Sequence, residues 1–85
     1  MTQPQPQRPS VGRIVHYMAR GSADGVFPPV CRAATISEVN PEEPLQVGLV
    51  VLNPEGMFFH SLRAGGVFAD EGDKRGGTWH WPERV

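Results

Sequence analysis

The run Val47-Gly48-Leu49-Val50-Val51-Leu52-Asn53-Pro54-Glu55-Gly56-Met57-Phe58-Phe59-His60 holds two apolar segments on either side of a turn signal. The first segment is almost unbroken in its apolar character and short, which reads as a buried central strand. The next four residues read as a tight turn. Pro54 has the fixed φ that the second position of a type I turn takes, and Gly56 is expected where the chain then turns left-handed. Residues 57–60 return as the partner strand, so an antiparallel hairpin is expected here.

Moving toward the N-terminus, residues 30–39 (VCRAATISEV) carry the Val, Thr and Ile content of a further strand. Cys31-Arg32-Ala33-Ala34 has some helical propensity, but the Pro-Pro pair before it and the β-branched residues within it favour extended chain. Residues 21–29 (GSADGVFPP) are a loop by their Gly, Asp and Pro content. Ahead of them, GRIVHYMAR places Ile14, Val15, His16 and Tyr17 in a first strand. Residues 1–10, MTQPQPQRPS, offer no apolar face and are expected to be a disordered, solvated tail.

On the C-terminal side, residues 64–77 are rich in Gly and mixed charge and read as a mobile loop. Within it, Asp70-Glu71-Gly72-Asp73 lacks calcium-loop spacing and is expected to keep the loop solvated. Thr78-Trp79-His80-Trp81 closes the chain as a fifth strand. The expectation is therefore an all-β domain over residues 11–85, a small five-stranded curled barrel of SH3-like or OB-like kind, since closure removes exposed sheet edges.

Composition narrows the function classes. Eight basic and nine acidic residues leave a formal charge of -1 in 85 residues, which disfavours binding to duplex nucleic acid through its phosphates. All but one of the basic residues are arginine, the better fork for planar or phosphate-bearing groups. A single cysteine cannot bridge internally, and no secretory signal or membrane-length apolar run is read, so a reducing cytoplasm without a membrane partner is expected. A chain this short buries a thin core, and a homo-oligomer is a natural supplement.

Six residues are candidates for ligand binding: His16, Tyr17, Arg32, Trp79, His80 and Trp81. Trp79 and Trp81, two apart on a strand, share a face, with His80 on the other. Either both indoles are core, or one is a stacking wall for a planar ligand. Arg32 stands among small neighbours that let an anion approach. His16, Cys31, His60 and His80 are the residues of zinc-preferring type, but they lie on different strands without close paired spacing, so no metal and no cofactor is expected. Nothing in the spacing sets Cys31 beside a histidine as a nucleophile and base, and the chain is not expected to be an enzyme.

The ending Gly77-Thr78-Trp79-His80-Trp81-Pro82-Glu83 resembles that of a group of small phage and prophage proteins, and Arg13-Ile14-Val15-His16-Tyr17 resembles their usual first strand. Cys31-Arg32-Ala33-Ala34 and the Asn53-to-Phe59 stretch are similar to the actinobacterial members. The resemblance implies a phage origin and a host-cytoplasm or virion setting. Together the readings lead to a non-catalytic phage accessory protein that binds a small anionic or aromatic ligand, such as a nucleotide-derived host defence signal. The alternative is a virion or host-protein interaction module.

Overall fold

The computed structural model describes residues 8–21 and 29–82. Its elements are β1 (Ile14–Met18), β2 (Cys31–Val39), β3 (Gln46–Asn53), β4 (Gly56–His60), a single 3-10 turn (Leu62–Ala64), β5 (Val67–Phe68) and β6 (Trp79–His80). The described chain is all-β. Six strands form one antiparallel sheet in the order β4-β3-β2-β1-β6, with β5 also paired to β3. Only seven of the residues expected in the N-terminal tail, 1–7, lie outside the described residues; Pro9 is buried, and the Ser10 carbonyl accepts the Arg13 N–H.

The expected hairpin is present, with Leu49 opposite His60 and Asn53 opposite Gly56. Its turn differs in one detail. Neither Glu55 nor Gly56 has a positive φ, so the left-handed glycine expected at 56 is corrected. Pro54 and Glu55 form the two-residue connection without a positive φ, consistent with a type I turn, whose fourth position commonly takes Gly. Left-handed glycine is needed instead after the 3-10 turn, at Gly65 and Gly66. There Ser61 accepts the Ala64 N–H and Gly65 donates its own to the Leu62 carbonyl.

The strand expected at residues 78–81 is β6, shorter than read. A sixth strand, β5, lies within the stretch read as loop, and its two residues are too few to show any periodicity. β3 makes room for it by dividing one edge, pairing residues 49–53 with β4 and residues 46–47 with β5. The sheet curls without closing as a ladder: β5 and β6 meet only through the bridge between Ala69 and Trp79. Around that bridge the Ala69 N–H donates to the Leu45 carbonyl and the Asp70 N–H to the Trp79 carbonyl.

Strand alternation builds the core. Val15 and Tyr17 from β1, Ala34 and Ile36 from β2, and Val47, Leu49 and Val51 from β3 are buried on one face, joined by Val67 and Trp79. Each fully buried Val, Leu or Ile there contributes about 1.5 to 3 kcal/mol by its removal from water. The opposite face keeps Ile14, Leu52, Met57 and Phe59 exposed. β2 shifts register between Ile36 and Glu38. Gly48 lies behind this bulge, where an added Cβ would come within 3.1 Å of Ser37 Oγ, Glu38 Oε1 and the His60 carbonyl.

The acidic patch of residues 70–73 does more than keep its loop solvated. Asp70 accepts the backbone N–H groups of Asp73 and Arg75 and the Arg75 guanidinium at 2.7 Å, and Glu71 accepts the Trp81 N–H. These bonds organise the segment expected to be mobile, because a carboxylate can satisfy several donors at once. The side-chain hydrogen bond from Arg75, helped by its backbone N–H, lowers the Asp70 pKa from 3.8 to about 2. A carboxylate depressed in this way stabilises the fold above its ordinary pKa, and the contribution is lost as pH falls from about 4 through about 2. The exposure of the Arg75 partner to solvent keeps the effect small. Asp70→Asn is therefore expected to flatten the acid limb of the melting-temperature profile over that interval, and an unchanged limb would refute the assignment.

Gly66 offers a second check. Its φ is +65°, and an added Cβ would meet Gln46 Cγ and Leu62 Cδ2 at 3.0 Å, whereas Gly56 faces open space. Gly66→Ala is expected to cost more than about 1 kcal/mol and Gly56→Ala less than about 0.5 kcal/mol in denaturant unfolding.

Candidate functional site

β1 lies between β2 and β6, so its residues His16 and Tyr17 have neighbours on both sides. Tyr17 pairs with Arg32 and Trp79, and His16 pairs with Ala33 and His80. Because successive side chains alternate, the candidate residues divide between the two faces. His16 and His80 lie on the face opposite the core, and Tyr17, Arg32 and Trp79 on the core face.

On the outer face the His16 and His80 rings meet edge to face with centroids 5.5 Å apart. Cys31 Sγ lies 3.5 Å from His80 Nε2. One ligand-type atom from each of His16, Cys31 and His80 falls within 4.8 Å of the others. This corrects the expectation that nothing brings Cys31 beside a histidine. The spacing in sequence hid the contact, since the ladder carries Cys31 and His80 together from positions 49 apart. Cys31 is exposed at this cluster, His16 is half-buried and His80 is fully buried.

On the inner face, at the β4 end of the sheet, an open groove of about 280 Å³ is lined by residues that include Tyr17, Arg20, Val51, Asn53, Phe58 and His60. The rings of Tyr17 and His60 lie 5.1 Å apart with a 32° tilt, forming an aromatic floor. Phe58 stands opposite Val51 on this face and is exposed. Arg32 projects on the same face, between its partner Tyr17 and the flank of Asn53, because the adjacent pair is Ala33 with Leu52. Its Nε is buried and, among the described residues, has no hydrogen-bond partner. A buried charged donor left in that state costs free energy that an incoming acceptor would recover. His60, Phe58, Arg20 and Asn53 join the candidate residues here; the alternation of β4 placed His60 and Phe58 on one face, but only the tertiary curl brings them to Tyr17.

The two indoles have different roles. Trp79 is 0% exposed, and its Nε1 donates to the Leu45 carbonyl at 3.0 Å. Trp81 is half-buried, set edge to face on Trp79 at 5.2 Å, with the Arg13 guanidinium 5.3 Å over its ring. Neither lines the groove. The six expected site residues thus occupy separate places: Tyr17 lines the groove, Arg32 pairs with it on the same face but is not one of the lining residues, His16 and His80 lie beside Cys31, Trp79 is in the core and Trp81 against it.

Comparison with protein-family models, with curated proteins and with solved structures gave no match, so the site is interpreted from its own geometry.

Replacing Trp79 by Ala is expected to cost about 3 to 5 kcal/mol, enough to leave a chain of this size largely unfolded. Trp81→Ala should cost much less, since it removes a half-buried ring and a cation–π contact of about 0.5 to 1 kcal/mol. Chemical denaturation of both variants checks the division, and equal losses would contradict it.

Proposed function

We propose that this chain is a non-catalytic binding domain, a small curled barrel of SH3-like or OB-like kind, whose inner groove takes a small ligand with an anionic group and a planar ring. The buried Arg32 Nε, without a partner among the described residues and at the strand position paired with the groove residue Tyr17, carries this reading. A phosphate or carboxylate would satisfy the guanidinium through a charge-assisted hydrogen bond, roughly twice as strong as a neutral one. The aromatic floor would stack the ring. Nucleotides have both features. With the phage resemblance, the proposed role is to sequester a nucleotide-derived defence signal in the host cytoplasm, as a homo-oligomer.

A second reading rests on a different observation. Ile14, Leu52, Met57 and Phe59 expose an apolar band on the opposite face, with Phe59 72% accessible. Such a band fits a module that clips onto a virion or host protein, because contiguous exposed apolar surface marks interaction sites.

Thermal denaturation with a panel of cyclic and linear nucleotides tests the groove. A ligand at 100 times its Kd should add about 2.7 kcal/mol of stability. Arg32→Ala should remove that gain while leaving the unliganded melting temperature unchanged or raised, since it removes a costly buried donor. Arg63→Ala, on the exposed 3-10 turn, should do neither. If no nucleotide shifts the transition and the protein instead co-sediments with virions or a host protein, the second reading replaces the first.

A further inference from the structure

We propose that His16, Cys31 and His80 form a binding site for a zinc-type transition-metal ion on the sheet face opposite the groove. Two imidazoles and a thiol are the donors that such ions prefer over the hard cations calcium and magnesium, which take oxygen. Zinc bonds of about 2.3 Å to sulfur and about 2.0 to 2.1 Å to nitrogen at a tetrahedral angle require a sulfur-to-nitrogen edge of about 3.6 Å. The Cys31 Sγ to His80 Nε2 separation is 3.5 Å. His16 completes the triangle within 4.8 Å, a separation that side-chain adjustment would close on binding one ion.

The backbone holds this arrangement in advance. The three donors come from β2, β1 and β6, which are contiguous in the sheet, and the His16–His80 and Met18–Cys31 pairs fix their register. Little conformational entropy is left for the ion to remove. A thiol–imidazole pair acting alone as nucleophile and base would account for the Cys31–His80 contact, but it gives no part to His16. An ion uses all three. Because Cys31 is exposed, the fourth coordination position faces solvent, as in sites that hold three protein ligands and a water. On binding, the Cys31 thiol loses its proton to solvent and the thiolate becomes the ligand.

Cobalt(II) titration of the full, reduced and chelator-treated chain tests the site, because this ion reports thiolate ligation and tetrahedral geometry in its absorption spectrum. One equivalent should produce a sulfur-to-cobalt charge-transfer band with strong visible bands, and zinc should displace it. Cys31→Ser should abolish the charge-transfer band. His16→Gln should weaken cobalt affinity at least about tenfold, as loss of one of three ligands does. His60→Gln, on the other face, should change nothing. No charge-transfer band at tenfold excess of cobalt, or a band and affinity unaltered in His16→Gln, would overturn the proposal. Should His16→Gln fail to fold, alkylation of Cys31 in the unaltered chain decides: one equivalent of zinc should slow it at least about tenfold, and an unchanged rate overturns the site.

Discussion

The bond from the Trp79 indole to the Leu45 carbonyl ties the last strand to the turn between the second and third strands. Its donor belongs to a fully buried ring, so the bond forms where water cannot compete, and losing it would leave a buried donor unsatisfied. The same residue pairs with Tyr17 through its backbone and bridges Ala69. One residue, through its side chain and its backbone, therefore brings together β1, the turn before β3 and the segment that follows β5. β5 and β6 contribute only two residues each, so the indole bond is reinforced mainly by backbone bonds around it, from Ala69 to the Leu45 carbonyl and from Asp70 to the Trp79 carbonyl. The inner groove lies toward β4, where no comparable bond is present among the described residues.

The two faces of the sheet follow from that curl. Tyr17, Val51 and His60 face the inside and line a groove at the edge of the core toward β4. The outside carries an apolar band that the chain itself leaves exposed, along with the histidine and cysteine cluster. Small domains bury a limited share of their surface, and here the limit shows as unpartnered aromatic and aliphatic side chains on β4. The net charge of -1 provides little long-range repulsion between copies, so contact between such bands is opposed mainly by local charges.

Much of the fold was legible because its signals are local. The Val47-to-His60 hairpin, the strand around Cys31 and the strand around His16 follow from β-branched content, alternation and a proline-directed turn. β5 was not legible, because two residues carry no period, and neither was the order of the 70–78 loop, whose hydrogen bonds depend on Asp70 reaching donors at Asp73 and Arg75. The φ of Gly56 was misread since Pro54 allows more than one turn type. For the site, residue types were legible and their grouping was not. Alternation separated His80 from the indoles, but the contact of Cys31 with His80 spans two strand pairings that no single segment encodes. The split between Trp79 and Trp81 depends on the Leu45 carbonyl, distant in sequence.

The dipeptides His16-Tyr17, Cys31-Arg32 and Trp79-His80 each send one side chain to each face. In a sheet with period two, a slip of one residue exchanges the faces completely. A slipped β1 would turn Tyr17 out to water and set the His16 imidazole against Ile36 and Ala34 with no acceptor of its own in an apolar layer. A slipped β6 would take the Trp79 indole out of the apolar core layer and set the His80 imidazole into it. The wrong pairing thus loses hydrophobic burial and adds a desolvation cost in the same movement, so the alternation of polar and apolar residues acts as a proofreading device during folding. The proofreading operates before any ligand or ion arrives, and it explains how strands as short as two to five residues can settle on one register.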